Sequence, residues 1–155
     1  MKRVGIVSDT HGDRGHLQQA LLKLEAEGRL DALIHCGDGA RDIRFLDGNV
    51  LQTAVVGGNC DGLSAELPRD LLIDIGGVRI YIAHGHYYNV KRGLDLLAEA
   101  ASAKGAQVVC FGHTHKPVCE YRAGVLLINP GACIYTGACA LLNIEQSGNF
   151  AARLL

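Results

Sequence analysis

The alternation of short apolar runs with a helical pattern constrains the fold of this chain more than any other feature. Residues 3–7, 31–36 and 51–56 (RVGIV, DALIHC and LQTAVV) have the length and apolar character of buried strands. Between the first two runs, leucine and alanine recur at helical spacing over residues 17–28, and Gly28 marks a stop. Strands that alternate with helices form parallel β-α-β units. The first third of the chain therefore predicts an α/β fold.

The rest of the chain predicts antiparallel strand pairs and one further helix. Residues 71–85 contain two apolar runs about Gly76-Gly77, a dipeptide that favours a tight hairpin turn. A second helical pattern covers residues 90–105, and the strand-like runs after it are joined by turns at Ala123-Gly124 and Ser147-Gly148. These patterns predict two mixed β-sheets that carry helices on their outer faces.

Length and charge narrow the class of protein. A chain of 155 residues is expected to form a single domain over residues 1–155. Its 15 basic and 16 acidic side chains give a net charge of −1, which predicts no extended nucleic-acid surface and no anionic membrane as partner. With no signal peptide or membrane-length apolar span in the sequence, we expect a cytoplasmic protein. A homo-oligomer is compatible with the sequence, which leaves the oligomeric state open.

The cysteine pattern favours buried, reduced thiols over disulfides. Several cysteines lie in apolar runs, and no C-x-x-C pair is present to suggest a zinc knuckle or a thioredoxin-like redox site. The six cysteines are Cys36, Cys60, Cys110, Cys119, Cys133 and Cys139. A cysteine-based metal or redox protein is therefore a remote alternative.

Polar side chains cluster where the predicted strands end. Three pairs are spaced two residues apart, so an extended backbone would point both members of a pair to one side. Because ligands bind beyond the carboxyl ends of strands in α/β sheets, these clusters are expected to converge. Their members are Asp9, His11, Asp38, Asn59, His84, His86, His113 and His115.

Taken singly, each of these residues is more often a turn residue or a satisfied polar side chain than a ligand. Taken together, they would leave several buried polar groups unpaired unless a cation satisfied them. A set of carboxylate, amide and imidazole donors this large exceeds the needs of one tetrahedral ion. It suits two divalent ions that share a bridging carboxylate.

The ordered motifs DTH, GD, GNCD, HGH and GHTH resemble those of the calcineurin-like metallophosphoesterase superfamily, and in particular its small bacterial and archaeal phosphodiesterase branch. The segment INPGA at residues 128–132 resembles the C-terminal signature of that branch. The resemblance implies a four-layer α-β-β-α fold, in which two mixed sheets form a sandwich flanked by helices.

The resemblance also implies a ligand set and a reaction. The first ion would be held by Asp9, His11, Asp38 and His115, and the second by Asp38, Asn59, His84 and His113, with Asp38 bridging. The implied activity is that of a metal-dependent phosphodiesterase, in which a hydroxide shared by the two ions attacks a small phosphate diester. Family likeness favours manganese, while the donor set also tolerates iron, cobalt, nickel and zinc.

Four residues are expected to act directly in catalysis, namely Asp38, Asn59, Cys60 and His86. Many superfamily members have histidine at the position of Cys60, where it is thought to protonate the leaving group, and a thiol is a poor acid at neutral pH. Activity toward esters with poor leaving groups is therefore expected to be low. His86 is additional to the seven predicted ligands. Three roles stay open for it: to orient His84, to contact the phosphate, or to make a hydrogen bond at the end of the strand.

Other polar residues near the motifs have weaker functional signals. His35 is expected to be buried and structural, and His16 to be solvated at a helix start. Arg14, Arg41, Lys91 and Lys116 are close enough in sequence to meet a phosphate, although lone surface cations are commoner. The segment between Asp38 and Asn59 is too short for a large cap, so an open cleft is expected.

The main alternative is a non-catalytic metal-binding scaffold, because a eukaryotic retromer subunit resembles this fold and serves as an interaction module. That relative has lost ligands, whereas all seven positions are filled here. The intact set favours catalysis.

Overall fold

The described part of the chain forms two five-stranded sheets and three α-helices. The structure is a computed structural model and describes residues 1–44, 51–62 and 66–155. The strands are β1 (Lys2–Val7), β2 (Ala32–His35), β3 (Gln52–Val55), β4 (Asp70–Ile75), β5 (Val78–Ala83), β6 (Val108–Cys110), β7 (Val118–Arg122), β8 (Val125–Asn129), β9 (Ala140–Ile144) and β10 (Phe150–Leu154). The helices are α1 (Arg14–Ala26), α2 (Asp95–Ala103) and α3 (Cys133–Thr136).

Both sheets are mixed, as the sequence patterns predict. The first sheet has the order β10-β9-β1-β2-β3, and the second has the order β4-β5-β6-β8-β7. Strands β1, β2 and β3 run parallel to one another, which confirms the β-α-β prediction. In the second sheet β5, β6 and β8 are parallel, with antiparallel strands at both edges. The carboxyl ends of the parallel strands carry the loops that hold the predicted ligands.

The inner faces of the two sheets pack against each other to form the largest part of the core. Ile6 and Ile34 of the first sheet belong to one buried cluster with Ile80 and Val108 of the second. Each such side chain stabilises the fold by about 1.5–3 kcal/mol when fully buried. Helix α1 covers the outer face of the first sheet, and α2 covers the outer face of the second. The predicted α-β-β-α layering is therefore confirmed.

Both long helices differ in their bounds from the sequence pattern. Helix α1 begins at Arg14 because the Asp13 carboxylate caps it, accepting a hydrogen bond from the His16 backbone N–H at 2.9 Å. Helix α2 begins only at Asp95, five residues after the predicted start at residue 90. A 3₁₀ helix (His86–Tyr88) and a left-handed Asn89, with φ of 51°, occupy the chain before it. These turns belong to the loop that carries the HGH motif.

The predicted turns and thiols are placed mostly as expected. Gly76 and Gly77 have φ of 58° and 84°, the left-handed pair that a two-residue hairpin requires. All six thiols are free; four are buried, whereas Cys60 and Cys119 are exposed, so the expectation of burial is wrong for these two.

The prediction of an open cleft depends on the short segment between Asp38 and Asn59. That segment includes residues 45–50, which lie outside the described residues. None of the helices in the described ranges has the length and apolar character needed to span a membrane.

Candidate metal centre

Backbone strain is concentrated at the predicted ligands. Among the described residues, seven that are not glycine have a positive φ, and five of those seven are predicted ligands. They are Asp9, His11, Asp38, His113 and His115, with φ between 45° and 67°. A left-handed conformation costs a non-glycine residue of order 1 kcal/mol or more, and such outliers cluster at functional sites. The strain marks this edge of the sandwich independently of any motif.

The same φ values correct one step of the sequence argument. Two of the three i, i+2 pairs lie in tight left-handed loops, after β1 and β6, and not in extended backbone. Asp9 and His11 still fall in one group of side chains, whereas His113 and His115 fall in two different groups and do not face one point.

The first group, here called the outer group, consists of Asp9, His11 and His115. Their ligand atoms lie within 4.8 Å of one another, so one ion could contact all three. Asp9 and His11 follow β1 of the first sheet, whereas His115 follows β6 of the second. The side chains of His11 and His115 are 27% and 34% exposed, and that of Asp9 is fully buried. The outer group therefore faces solvent through its two imidazoles.

Asp9 supplies the most direct sign of a cation. Its Oδ2 accepts hydrogen bonds from the Ser8 hydroxyl at 2.5 Å and the His113 backbone N–H at 3.2 Å. Its buried Oδ1 has no hydrogen-bond partner in the part of the chain that the structure describes, although His115 Nε2 lies 3.2 Å away. An unpaired buried carboxylate oxygen is costly, and a cation between these two atoms would satisfy both.

The second group, here called the inner group, consists of Asp38, His84 and His113. The His84 Nδ1–H donates to the Cys36 carbonyl at 2.7 Å, which directs Nε2 toward Asp38 and Asn59. His84 Nε2 lies 3.3 Å from Asp38 Oδ2 and 3.1 Å from Asn59 Oδ1. A backbone carbonyl that fixes the ring in this way is typical of histidines that bind metals.

Asp38 lies between the two groups. Its Oδ2 is 3.3 Å from His84 Nε2 in the inner group and 3.9 Å from His11 Nε2 in the outer group. Burial acts to raise the pKa of Asp38, but hydrogen bonds from His84 and from the Cys60 backbone N–H outweigh it and hold the pKa well below its usual range. The side chain is therefore an anion at neutral pH, placed where both groups could share it.

Asp61 joins the loops that carry Asp38 and Asn59, a role that the sequence did not predict. Its carboxylate accepts hydrogen bonds from the backbone N–H groups of Asp38 and Gly58, both at 2.7 Å. It also accepts from Gly39 and Ala40, at 2.8 and 3.1 Å. Four N–H donors converge on one carboxylate, so Asp61 holds Asp38 in its left-handed conformation.

A buried network supports the loop of the outer group. The Gly37 N–H donates to His35 Nδ1 at 3.1 Å, so the neutral ring carries its proton on Nε2, 2.9 Å from Thr10 Oγ1. The Thr10 hydroxyl donates to Asp42 at 2.5 Å, and the Gly12 N–H donates to the same Asp42 oxygen at 2.8 Å. Burial lowers the pKa of His35 to about 4. The prediction that His35 is buried and structural is confirmed.

The donor set and its geometry fit two divalent cations. Each group offers a buried carboxylate and two imidazoles within reach of one point, and Asn59 adds an amide oxygen beside the inner group. Mixed oxygen and imidazole ligation is typical of manganese, iron, cobalt, nickel and zinc sites. The strain, the unpaired Asp9 Oδ1 and the convergence of donors from both sheets all favour bound ions.

Comparison with known proteins decides the family. A model described as the calcineurin-like phosphoesterase superfamily domain matches residues 1–146. The probable metallophosphoesterase YsnB of Bacillus subtilis (strain 168) is 39% identical over 128 residues, which cover 82% of this chain and 72% of that protein. The chain belongs to the calcineurin-like phosphoesterase superfamily. Membership implies hydrolysis of phosphate esters with divalent metal ions.

Two further likenesses bear on activity and fold. Phosphodiesterase MJ0936 of Methanocaldococcus jannaschii is 30% identical over 149 residues, covering 84% of each chain. Vps29 from Entamoeba histolytica, solved in complex with zinc, superimposes with a TM-score of 0.76 at 22% identity and covers 99% of this chain and 98% of that chain. At that identity the second likeness shows the shared fold alone.

His86 and Cys60 flank the inner group of this phosphoesterase. The His86 ring lies 5.4 Å from the His84 ring, and its buried Nδ1 has no hydrogen-bond partner within the described ranges. His84 is oriented by Cys36, so the structure gives that role to a backbone carbonyl and not to His86. The Cys60 N–H donates to Asp38 Oδ1 at 2.7 Å, while its exposed thiol lies near His11 and Asp38.

Several residues that touch the site escaped the sequence argument. Tyr135 lies with its ring 5.7 Å from that of His115, and Arg69 stacks 3.9 Å over Tyr87, next to His86. The Asn129 side chain donates to Gly112 O and to Thr114 Oγ1, both at 3.0 Å, so the INPGA segment supports the GHTH loop. Asp61 lies in the GNCD motif and Asn129 in the INPGA segment, so the sequence offers a signal for both. Tyr135 and Arg69 lie in none of the motifs.

His16 and the two arginines near the motifs are also placed. His16 is about one-third exposed and lies 3.0 Å from Asp13, so it is paired as well as partly solvated. Arg14 and Arg41 are exposed.

Proposed function

We propose that this phosphoesterase is a dinuclear, metal-dependent phosphodiesterase that hydrolyses small phosphate diesters. The observation that carries the proposal is the position of Asp38, between an outer and an inner group that each offer donors to one ion. The 30% identity to phosphodiesterase MJ0936 supports the preference for diesters. We propose manganese as the native ion on family likeness.

In this proposal, the chain's own residues bind and orient the reactants. Asp9, His11, Asp38 and His115 would hold the first ion, and Asp38, Asn59, His84 and His113 the second. When bound, a pair of divalent ions neutralises phosphate charge and lowers the pKa of water. Asn59 Oδ1 faces His84, and its amide N–H group donates toward the Cys60 sulfur at 3.4 Å, which places the amide at the rim of the inner group.

Protonation of the leaving group is the weak step in this arrangement. Partial burial and the negative charge of Asp38 raise the pKa of the Cys60 thiol, which makes it a still weaker acid. Burial and then the neighbouring His84 lower the pKa of His86, so at neutral pH its imidazole is a neutral group with little acid to offer. We therefore expect the rate to depend steeply on leaving-group acidity.

The test compares phosphate diesters of graded leaving-group acidity. Protein stripped by a chelator and reloaded with Mn²⁺ should hydrolyse nitrophenyl diesters, and kcat/KM should fall steeply toward alkyl diesters. Cys60→His should flatten that slope by restoring a general acid, an effect on the order of 10²- to 10⁴-fold for poor leaving groups. Cys119→His is the matched control, because Cys119 is an exposed cysteine on β7, outside the site.

Two results would contradict the proposal. If two ions bind tightly but no phosphate ester is hydrolysed with any of the five candidate metals, the scaffold alternative is correct. If monoesters are hydrolysed and diesters are not, the protein is a phosphomonoesterase. Equal slopes in wild type and Cys60→His would show that another group already supplies the proton.

A further inference from the structure

A cavity of about 520 Å³ lies beside the loop that carries His113 and His115. One wall comes from the chain after the HGH motif and the other from the chain after the GHTH motif. Its lining includes Val90, Lys91, Arg92, Thr114, Lys116 and Val118. The cavity therefore shares both of its loops with the inner group, although it contains none of the predicted metal ligands.

The wall next to the metal centre is held firmly. Thr114 stands between His113 and His115, and its hydroxyl accepts hydrogen bonds from the Asn129 side chain at 3.0 Å and from the Lys116 backbone N–H at 3.2 Å. Thr114 also lines the cavity, opposite Lys91 on the other wall. A ligand that contacts Thr114 would therefore lie beside the loop that carries His113 and His115.

The charges in this cavity lack partners. Lys91, Arg92 and Lys116 make no ion pair with any residue in the described part of the chain. The acids next to the two walls in sequence are Asp95 and Glu120, and both are 2.9 Å from Arg122. None of the described residues that line the cavity is acidic, so Lys91, Arg92 and Lys116 have no carboxylate within the lining, although Arg92 also borders a separate hollow with Asp95.

The rest of the lining is apolar. Val90 is buried, Leu94 and Val118 are half-buried, and all three contribute to the walls. A cavity with apolar walls and cations at its rim suits a ligand that has a weakly polar body and an anionic group at one end. In a protein of net charge −1, such a local excess of positive charge favours a specific anion over general attraction of polyanions.

We propose that this cavity binds a second phosphate, carried on one arm of the substrate, while the scissile diester lies at the metal centre. The inference rests on the proposed phosphodiesterase function and narrows its substrate class to diesters with a further phosphate about one sugar unit away. Lys91 and Lys116, one from each wall, bind the second phosphate, and Thr114 separates it from the reacting centre. Arg92 adds positive charge at the rim.

A pair of nitrophenyl esters tests the inference. The first substrate is thymidine 5′-(4-nitrophenyl phosphate), and the second carries an added 3′-phosphate on the same nucleoside. At low salt, the wild-type protein with Mn²⁺ should have a kcat/KM about five- to 25-fold higher for the second substrate, because each of the two lysines contributes a factor of up to about five. The gain should appear mainly in KM and should shrink with added salt.

The variant Lys91→Gln with Lys116→Gln should bring the ratio of the two kcat/KM values close to one. The control, Arg29→Gln with Lys104→Gln, changes the net charge equally at residues that precede β2 and β6, on the edge of the sandwich opposite to the site. It should leave the ratio unchanged. A wild-type ratio near one, or a ratio that survives in the Lys91/Lys116 variant, would overturn the inference.

A binding measurement separates this inference from the proposed function. Thymidine 3′,5′-bisphosphate should bind the Mn²⁺-loaded protein about five- to 25-fold more tightly than thymidine 5′-phosphate, whether or not any ester is hydrolysed. The preference should be lost in the Lys91/Lys116 variant. Equal affinity for the two nucleotides would reject the second phosphate site even if phosphodiesterase activity is present.

Discussion

The outer and inner groups use the same chemistry in different surroundings. Each offers one buried carboxylate and two imidazoles, and each combines residues from both sheets. The outer imidazoles are about one-third exposed, whereas the inner His84 is 0% exposed and hydrogen-bonded to a backbone carbonyl. His84 thus lies in the buried interior, whereas His113 of the same group is half-buried, and Asp38 connects the two groups. Ion binding and stability should therefore be coupled in the inner group and nearly independent in the outer group.

Asp38→Asn should break the connection between the groups and produce the largest effect. A neutral amide bridges two cations poorly, so activity should fall by at least about 10³-fold, and metal content should drop from two ions to one or none. Elemental analysis and diester hydrolysis measure both results. Asp74→Asn, an exposed acid on β4, is the control. Two tightly bound ions with normal turnover in Asp38→Asn would rule out a shared carboxylate.

Removing one histidine from each group tests the difference in burial. His84→Ala should destabilise the metal-free protein by about 2–4 kcal/mol, because it leaves a cavity and an unpaired Cys36 carbonyl. His115→Ala should change the free energy of unfolding by less than about 0.5 kcal/mol while still lowering metal content. Denaturant unfolding with a chelator present measures both variants. Equal destabilisation would mean that burial does not distinguish the groups.

Asp61→Asn tests whether the inner group depends on its loop support. The Asp61 carboxylate accepts hydrogen bonds from four backbone N–H groups. Asparagine has only one acceptor oxygen, and its NH₂ group would face some of these donors, so it cannot make the same four bonds. We expect a loss in metal affinity of about 10- to 100-fold. Asp31→Asn provides a control, because Asp31 accepts a backbone N–H from Arg3 at the opposite end of the sheet. If both variants bind metal normally, Asp61 does not position Asp38.

The smallest expected effect is on how the stability of the protein depends on pH. It involves His35, which belongs to the network that supports the outer group. The pKa of buried His35 is lowered from 6.5 to about 4, so the unfolded chain binds an extra proton between these values. The contribution of neutral His35 is therefore fully present above pH 6.5 and is lost as the pH falls through 4. Between pH 7 and pH 5, the free energy of unfolding of the metal-free protein should fall by about 1–2 kcal/mol less in His35→Gln than in wild type. The glutamine keeps an N–H donor toward Thr10. Identical pH profiles would show that His35 does not titrate on unfolding.

Much of the fold could be predicted from local pattern. Apolar runs of strand length, the helical spacing of Leu17, Ala20 and Leu24, and Gly76-Gly77 each depend on interactions within a few residues. The start of α2 was wrong because the HGH loop uses turns whose dihedral angles depend on contacts with other elements. The Tyr88 hydroxyl, for example, lies 2.5 Å from that of Tyr81 on β5.

The residues of the candidate site could be predicted from sequence, but their arrangement could not. Motif order predicts Asp9, Asp38, His84 and their partners as ligands, because strand ends converge in an α/β sheet. The left-handed loops, the division of His113 and His115 between two groups, and the burial of His84 depend on how the two sheets pack. So do the four bonds to Asp61 and the position of Lys91 and Lys116 on two walls of one cavity. Sequence by itself determined which atoms are available as ligands, because that is a matter of chemical type. Only the tertiary structure decided which of them meet, because those contacts join residues that lie far apart along the chain.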